Sequence, residues 1–410
     1  TWHIDSVPTV EYRQHDSNVM GANVGARSAF SRLALVREQW HRGQARLLTR
    51  VALSVADDRH RPELERMLHA VDQHWCVVNN QPVTTGEGTS MKILVVGGSG
   101  FIGTRLLHTL HEQGHEFTNF DRRLSASFPD QSVTGDVRSA DELAAASVGH
   151  DAIINLAAEH RDDVSPLSLY TEVNVGGAHA VVAAAEANGI QRIVFTSTVA
   201  IYGLDKNNAA EDSVPEPFNE YGRTKLAAEG IFSAWANADA ARSLAIVRPS
   251  VVFGEGNRGN VYNLAKQVSS GRFVMVGKGE NRKSMAYVGN IVGYIASRLE
   301  APTGIEIRNF ADKPDLSTKE LIAILRDEMN VHAASGIRLP LPLGIIAGYV
   351  FDAAAKITRR TFPISAVRIR KFAADTTVNT DRLRESGYTA TFSLQEALKR
   401  TLASEFPATG

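Results

Sequence analysis

The sequence predicts an α/β fold: a Rossmann-type, doubly wound parallel sheet with a smaller α/β lobe at the C-terminal end. From Met91 onward, short apolar runs that suit strands alternate with longer segments that suit helices, which is the pattern of successive βαβ units. Glycine-rich and polar segments follow these runs, at the strand ends where open α/β sheets bind ligands. We place the sheet domain at residues 91–250. The smaller substrate-binding lobe takes up most of 251–410, with a helix at 290–299 that returns to the sheet.

The first predicted element is a strand that ends in a glycine-rich turn, Met91–Gly103 (MKILVVGGSGFIG). Its unbroken run ILVV is typical of a parallel strand buried on both faces. Gly97, Gly100 and Gly103 follow at the spacing GxxGxxG, and a helix is predicted at Thr104–Gln113. These glycines permit a tight turn, a close approach of the backbone to a pyrophosphate, and tight helix–strand packing. The helix N-terminus offers free N–H groups and a partial positive charge to the phosphates.

A carboxylate follows the second strand, Glu116–Phe120. Asp121 is placed to accept hydrogen bonds from both ribose hydroxyls of an adenosine, so the segment predicts a dinucleotide site. Because Asp121 would repel a 2′-phosphate, we expect NAD(H) to be preferred over NADP(H), although Arg122 and Arg123 partly compensate.

The remaining elements continue the alternation. In the sheet domain the apolar runs predict strands at Ser132–Thr134, Ala152–Leu156, Arg192–Ser197 and Leu244–Val247, and helices at Ala140–Ala146, Leu169–Ala187 and Tyr221–Ala236. In the smaller lobe, strands are predicted at Phe273–Val276 and Met285–Val288, and S-x-x-E capping boxes at Ser317–Glu320 and Ser393–Glu396 predict two helix starts.

Composition narrows the class of protein. The 410 residues are 43% hydrophobic and 22% charged, as in soluble globular proteins, and the net charge of −1 argues against a general nucleic-acid binder. The single cysteine excludes an intrachain disulfide and favours a reducing compartment. No apolar run reaches the ~18–20 residues of a membrane span, and the N-terminus lacks the pattern of a signal peptide. We therefore expect a cytoplasmic protein.

Residues 1–90 are predicted to be an appended or poorly ordered N-terminal extension, for which the sequence indicates no role. Helices are predicted at Ser28–Arg50 and Glu63–His74, and a flexible linker at Gln81–Ser90. Three potential metal ligands fit no standard ligand spacing, so no metal site is predicted at His69, His74 and Cys76.

The candidate catalytic residues are Thr198, Tyr221 and Lys225. Tyr221 and Lys225 form a YxxxK pair, which places the phenol and the ammonium on one face of a helix. A phenol, with a pKa of ~10, is a poor base at neutral pH, and a nearby cation favours the phenolate. Thr198 at a strand end is placed to hold a substrate oxygen beside Tyr221. A surface tyrosine and lysine without a catalytic role are the simpler alternative.

Together these motifs resemble the extended short-chain dehydrogenase/reductases, the family of NAD-dependent sugar epimerases and dehydratases. The resemblance extends from Met91 to about Phe406. The motifs that carry it are Gly97–Gly103, Asp121, Asp136-Val137, Asn155–Ala158, Thr196–Gly203, Tyr221–Lys225 and Arg248–Ser250.

The resemblance implies roles residue by residue. Thr198, Tyr221 and Lys225 would form the catalytic triad. NAD would be bound by the turn, the strand ends and the triad helix, at Gly97, Ser99, Gly100, Phe101, Ile102, Gly103, Asp121, Asp136, Val137, Leu156, Ala157, Ala158, Asn174, Ser197, Tyr221, Lys225 and Pro249. The substrate would be bound by His160, Thr198, Tyr221, Asn260 and Lys283.

Three segments, 156–166, 258–264 and 283–292, resemble more closely the epimerases that interconvert N-acetylglucosamine and N-acetylgalactosamine on undecaprenyl diphosphate, a step of surface-polysaccharide (O-antigen) synthesis. Lys283 stands where nucleotide-sugar relatives carry an arginine that binds the diphosphate, and a lysine offers a point charge instead of a fork. Val199 and Ala200 follow Thr198 where family dehydratases carry Asp-Glu, which argues against dehydration.

The mechanism implied is transient oxidation of the sugar to a 4-keto intermediate with regeneration of NAD⁺. Three alternatives remain open: a UDP-sugar 4-epimerase, an NAD(P)H-dependent 4-keto-sugar reductase, and a non-catalytic NAD(H)-sensing regulator. The retained triad argues against the regulator. A homodimer is a further expectation for this family.

One more segment, Leu339–Arg360, predicts peripheral contact with an anionic membrane surface. An apolar stripe recurs at helical spacing, and basic residues cluster at the end of the segment, as in interfacial helices. The stripe is Leu343, Ile346, Ala347, Val350 and Ala354, and the basic residues are Lys356, Arg359 and Arg360. The simpler alternative is a helix that packs on the core of its own lobe.

Overall fold

The computed structural model describes residues 90–161, 164–271, 273–331, 338–358 and 366–407. The two helices and most of the linker predicted in residues 1–90, together with His69, His74 and Cys76, lie outside the described residues. Among the described residues, no helix combines the length and the apolar character needed to cross a bilayer.

The core of the fold is a seven-stranded sheet in which every neighbouring pair is parallel. Its strands are β1 (Lys92–Val96), β2 (Glu116–Asp121), β3 (Ser132–Thr134), β4 (Ala152–Asn155), β5 (Arg192–Thr196), β7 (Ser243–Pro249) and β11 (Gly304–Phe310). The strand order is β11-β7-β5-β4-β1-β2-β3, so the predicted Rossmann-type sheet is confirmed.

Helices connect these strands and cover the sheet. They are α1 (Phe101–Glu112), α2 (Ala140–Ala146), α3 (Ser168–Tyr170), α4 (Gly177–Ala187), α5 (Glu220–Asn237) and α7 (Val288–Ser297). Alternate residues of β1 point to opposite sides, since Ile93 and Val95 belong to one buried cluster and Leu94 and Val96 to another. The sheet is therefore covered on both faces, as the apolar run predicts.

A second sheet of five strands forms the smaller lobe. It contains β6 (Lys206–Ala209), β8 (Val251–Phe253), β10 (Arg282–Tyr287), β12 (Asp312–Ser317) and β14 (Thr376–Val378). Strand β10 pairs with β12, β14 and β8. The other elements are strands β9 (Met275–Val276) and β13 (Arg338–Leu339) and helices α6 (Asn260–Ser269), α8 (Thr318–Glu328), α9 (Leu341–Thr358), α10 (Ala366–Ala373), α11 (Asp381–Glu385) and α12 (Leu394–Glu405).

Most predicted elements are found within one or two residues of their expected bounds, and both capping boxes are confirmed. Helix α1 begins three residues early because Gly100, in extended conformation, already serves as its N-cap. The strand predicted at 273–276 shortens to β9, and the one predicted at 285–288 ends at Tyr287, because Val288 begins α7. Among the described residues, six strands are unpredicted. Strand β11 joins the large sheet, β6, β8, β12 and β14 belong to the small one, and β13 pairs with β9.

Candidate active site

The glycine-rich turn between β1 and α1 forms a cradle that admits no side chain at two positions. Gly97 has a φ of +87°, and a Cβ there would lie 2.7 Å from the amide nitrogen of Ala157. A Cβ on Gly103 would lie 2.5 Å from the carbonyl oxygen of Gly97. The backbone is therefore exposed at the start of α1, where a pyrophosphate can approach the helix N-terminus.

Asp121 ends β2 beside this turn. Its Oδ2 accepts a hydrogen bond from the amide of Ser99 at 3.1 Å, and its Oδ1 accepts one from the amide of Arg123 at 3.1 Å. Ser99 in turn donates its hydroxyl to the carbonyl oxygen of Arg123 at 2.6 Å. The carboxylate is thus held in position next to the cradle, as a ribose ligand requires.

Asp136 and Val137 follow β3. Two guanidinium nitrogens of Arg138 donate to the Asp136 carboxylate at 3.0 and 2.7 Å, and this hydrogen bonding lowers the pKa of Asp136. The Val137 side chain is buried and lies against Gly177 of α4. The side chain of Asp136 is therefore engaged by Arg138, a contact that the sequence does not indicate.

Beyond β4, the backbone segment Leu156–Ala158 runs past the cradle, as the close approach of Ala157 to Gly97 shows. Asn174, buried in a π-helical turn at Thr171–Gly176, accepts a hydrogen bond from the amide of Glu159 at 2.8 Å. Its Nδ2 donates to Thr224 Oγ1 at 2.9 Å. Asn174 thus ties the loop after β4 to the helix that carries Tyr221 and Lys225.

Thr198 and Tyr221 come together at the carboxyl end of β5. Thr198 is the N-cap of a 3₁₀ helix, Val199–Tyr202, and its hydroxyl accepts from the amide of Ala200 at 3.1 Å. Tyr221 lies in the first turn of α5, and its phenol is close to the side chain of Thr198. Burial raises the pKa of Tyr221 to about 12, and the neighbouring Thr198 side chain opposes this only in part.

Lys225 lies one turn further along α5 and is almost fully buried. Its Nζ sits 4.1 Å from the ring centroid of Phe195, and burial lowers the pKa of Lys225 to about 7, against an opposing effect of Glu229. Burial is thus the largest influence on both groups, and the pKa of Tyr221 lies above its ordinary value.

Arg248, at the end of β7, is recognised from the sequence only as part of the motif Arg248–Ser250, and its contacts are not predicted. Its Nε and Nη2 donate to the two carboxylate oxygens of Glu229 at 2.9 and 2.6 Å, and its Nη1 donates to the Tyr202 hydroxyl at 2.7 Å. Glu229 belongs to α5 and Tyr202 to the 3₁₀ helix, so Arg248 joins the two elements that carry Tyr221 and Thr198. The spacing of Glu229 from Lys225, i and i+4 on the predicted helix, could have indicated that Glu229 lies beside the candidate catalytic lysine.

The predicted substrate residues are more scattered. His160 and Asn260 are exposed, in the loop after β4 and at the start of α6. Lys283 is largely buried on β10 and donates to the carbonyl oxygens of Lys371 and Ala374 at 2.9 and 3.0 Å, and burial lowers its pKa to about 8. The Lys283 ammonium therefore binds the end of α10, whereas the sequence predicts that it binds the diphosphate of the substrate.

The residues present fit a dinucleotide. The cradle at Gly97–Gly103 would hold the pyrophosphate, and Asp121 the adenosine ribose. Pro249 is buried at the end of β7, between Arg248 and Ser250. Within the described part of the chain, the hydroxyls of Ser197 and Ser250, both next to strand ends, are buried without a hydrogen-bond partner. Such orphaned groups at the carboxyl edge of the sheet are what a bound ligand would satisfy.

Comparison with known proteins places these features in context. Residues 93–309 match the model of the NAD dependent epimerase/dehydratase family. The chain is 48% identical, over 77% of its length and 95% of the relative, to the N-acetyl-α-D-glucosaminyl-diphospho-ditrans,octacis-undecaprenol 4-epimerase of Escherichia coli O157:H7. It is 27% identical, over 58% of its length and 76% of the relative, to a UDP-glucose 4-epimerase of Vibrio cholerae.

Solved structures agree on the fold. A UDP-glucose 4-epimerase of Thermus thermophilus in complex with NAD aligns with a TM-score of 0.61 at 20% identity, covering 78% of this chain and 100% of that one. The UDP-glucose 4-epimerase of Thermotoga maritima with UDP-glucose gives 0.62 at 19% identity, covering 77% and 98%.

Proposed function

The chain belongs to the NAD-dependent epimerase/dehydratase family, and from that premise we propose that it is a 4-epimerase that interconverts N-acetylglucosamine and N-acetylgalactosamine on undecaprenyl diphosphate. The observation that carries the proposal is the 48% identity to an epimerase named for the lipid-linked substrate, over 95% of that relative. The side chains of Thr198, Tyr221 and Lys225 supply the matching chemistry. NAD is the cofactor.

Each member of the triad has a task that its position supports. Tyr221 takes the proton of the sugar C4 hydroxyl and later returns it, and the side chain of Thr198 lies close to its phenol. The Thr198 hydroxyl lies on the same side and holds the C4 oxygen. NAD, when bound, would supply the acceptor and the donor for the C4 hydride. Lys225 is buried on the same helix, one turn after Tyr221. In its protonated form, Lys225 supplies a positive charge that stabilises the Tyr221 phenolate.

Regeneration of the cofactor requires that the 4-keto sugar present its opposite face before the hydride returns. Free turning of the sugar is compatible with a site that grips the diphosphate or the lipid more firmly than the hexose. The segment Val199-Ala200, which follows Thr198, carries no carboxyl group. Elimination of water would need an acid and a base at that point, so epimerisation is favoured over dehydration.

The product would start repeat units of a surface polysaccharide such as the O-antigen of lipopolysaccharide. Because the undecaprenyl tail stays in the bilayer, the proposal includes peripheral attachment at the cytoplasmic face of the inner membrane. A homodimer is also part of the proposal, carried over from the family expectation.

The test is incubation of the full chain with lipid-linked N-acetylglucosamine and, separately, with its UDP form, followed by sugar analysis. We expect N-acetylgalactosamine to appear on the lipid, without net change in NADH absorbance. Conversion of the UDP sugar alone would identify a UDP-sugar 4-epimerase. Stoichiometric consumption of NAD(P)H would identify a 4-keto-sugar reductase, and NAD binding with no turnover of either sugar would identify a regulator.

A further inference from the structure

Helices α9 and α10 expose an unusual concentration of large apolar side chains. Five of the thirteen exposed large hydrophobic residues in the described part of the chain lie on these two helices. We call them the apolar patch: Leu343 (53% exposed), Ile346 (59%), Tyr349 (52%), Val350 (63%) and Val367 (51%). Single exposed hydrophobic residues are ordinary, whereas a contiguous group marks an interaction surface.

The orientation of α9 explains the exposure. Gly344 and Gly348 form its buried side, and a Cβ on Gly344 would lie 2.8 Å from Val276, so this side approaches β9 through backbone. Leu343, Ile346 and Val350 recur at i, i+3 and i+7, and they face outward together. A helix that packed on the core of its own lobe would bury its large residues. The simpler alternative from the sequence is therefore wrong for these side chains.

The charges beside the patch are basic. Arg368 and Arg370 are exposed on α10, and Arg370 donates to the hydroxyl of Tyr349 at 2.7 Å. The sequence of the two helices holds one carboxylate, Asp352, which accepts a hydrogen bond from the amide of Ala366 and so caps α10. Apolar side chains bordered by arginine and tyrosine suit the boundary between acyl chains and anionic headgroups.

The patch is attached to the catalytic region. Lys371, one turn after Val367, places its Nζ 5.3 Å from the ring centroid of Phe218, and Phe218 precedes Tyr221 by three residues. Lys283 fixes the same end of α10 to β10 through the carbonyl oxygens of Lys371 and Ala374. Helix α10 therefore lies beside the segment that leads into the helix that carries Tyr221, and α9 packs against α10.

We infer that α9 and α10 dock the enzyme on an anionic lipid bilayer, with the apolar patch among the acyl chains and Arg368 and Arg370 against the headgroups. The inference rests on the proposed function only for the identity of the substrate. A polyprenyl tail could then remain in the bilayer while its sugar diphosphate reaches Tyr221. The proposed occupant of the apolar patch is membrane lipid. Dimerisation through the patch is the alternative that the experiment tests.

The first experiment is co-sedimentation of the full chain with vesicles of phosphatidylglycerol and phosphatidylcholine, at low and high salt. The double variant Ile346→Ser/Val350→Ser is compared with Val148→Ser/Val214→Ser, which removes equally exposed side chains elsewhere (62% and 74%). We expect the patch variant to bind the vesicles at least roughly tenfold more weakly, because each replaced side chain no longer buries apolar surface among the acyl chains. The control variant should match the wild type, and phosphatidylcholine alone should bind less.

The inference is overturned if the wild type stays in the supernatant at low salt, or if the two double variants bind alike. It is also overturned if the wild type dimerises without lipid and the patch variant is monomeric with unchanged vesicle binding. Should the patch variant fail to fold, Tyr349→Trp replaces it. Its added fluorescence should be quenched by lipids brominated in the acyl chains, and absence of quenching contradicts insertion.

A second pair of assays separates docking from function. N-acetylglucosamine diphosphate on a short, water-soluble prenyl chain should be epimerised equally by wild type and patch variant. The undecaprenyl substrate in vesicles should be turned over at least about tenfold more slowly by the variant. Vesicle binding without turnover of either substrate rejects the proposed epimerase activity and keeps the docking surface. Turnover without vesicle binding keeps the epimerase activity and rejects both the docking surface and the peripheral attachment.

Discussion

The seven-stranded sheet and the smaller lobe are held together in different ways. In the large sheet, strands such as β4 are buried at every residue, and all strands but β11 come from one stretch of the chain, residues 92–249. The five-stranded sheet is assembled from distant segments and joined by polar side chains. Ser284, for example, donates to Asp315 at 2.6 Å and accepts from the amide of Val378 at 3.0 Å.

This difference bears on which residues determine cofactor binding and which determine substrate preference. The turn proposed to bind the cofactor, at Gly97–Gly103, is formed by residues that are adjacent in the sequence. We propose that the lobe sets the substrate preference. There, the Lys283 ammonium donates to carbonyl groups 88 and 91 residues away. Substitutions in the sheet domain should accordingly change catalysis and overall stability. Substitutions in the lobe should have smaller effects on stability, or effects that depend on pH.

The largest effect is expected at the catalytic tyrosine. Tyr221→Phe removes the hydroxyl that moves the C4 proton but keeps the half-buried ring, so epimerisation should fall by ~10²–10⁴-fold. NAD affinity and the melting temperature should stay close to those of the wild type. Turnover of the lipid-linked sugar and a fluorescence titration with NADH measure the two quantities. Near wild-type turnover would exclude Tyr221 as the acid/base group.

The next effect compares one kind of ion pair in the two regions. Arg248 and Glu229 in the sheet domain are 5% and 6% exposed, whereas Arg384 and Asp381 in the lobe are 79% and 55% exposed. Arg248→Ala leaves Glu229 as an uncompensated buried charge and should lower the free energy of unfolding by ~3–5 kcal/mol. Arg384→Ala should cost about 1 kcal/mol or less. Urea titrations measure both, and equal costs would contradict the comparison.

The same contrast explains what the sequence can and cannot predict. The turn at Gly97–Gly103, Asp121 and the strand ends are predicted because an apolar run, a glycine spacing and a helix pattern lie side by side in the chain. Strand β11 was missed because its residues alternate charged and apolar, as an edge strand does. The partners of Lys283 and Arg248 depend on contacts between distant segments, which no local pattern encodes.

A third, smaller effect concerns a buried carboxyl group in the lobe. Burial raises the pKa of Asp312 to about 6, although the amide of Tyr287 and Nδ2 of Asn290 donate to it at 2.6 and 2.8 Å. The folded state therefore keeps a proton that the unfolded chain releases near its ordinary pKa of 3.8. This contribution to stability is complete below that value and is lost as the pH rises through about 6.

The variant Asp312→Asn isolates this contribution. Carboxyl groups with a lowered pKa, such as that of Asp136, change stability with pH in the opposite direction, but they do so equally in the wild type and the variant and cancel in the difference. From pH ~4 to ~7, the wild type should lose on the order of 2 kcal/mol of unfolding free energy relative to the variant. The variant starts from a lower value, because its amide donor would face the amide donor of Asn290. A difference that does not change with pH would contradict the assigned shift.

The smallest expected effect returns to the sheet domain and concerns the choice of cofactor. The Asp121 carboxylate is fixed by the amides of Ser99 and Arg123, so it cannot turn away from a 2′-phosphate without losing two hydrogen bonds. The wild type should therefore bind NAD⁺ more tightly than NADP⁺. In Asp121→Ser the repulsion disappears while Arg122 and Arg123 remain, and the ratio of the two dissociation constants should shift towards NADP⁺ by about tenfold, or 1.4 kcal/mol. Asp130→Ser, which removes an exposed carboxylate outside the turn, should leave the ratio unchanged. Calorimetric titration measures both constants, and equal or tighter binding of NADP⁺ by the wild type would show that the two arginines outweigh Asp121.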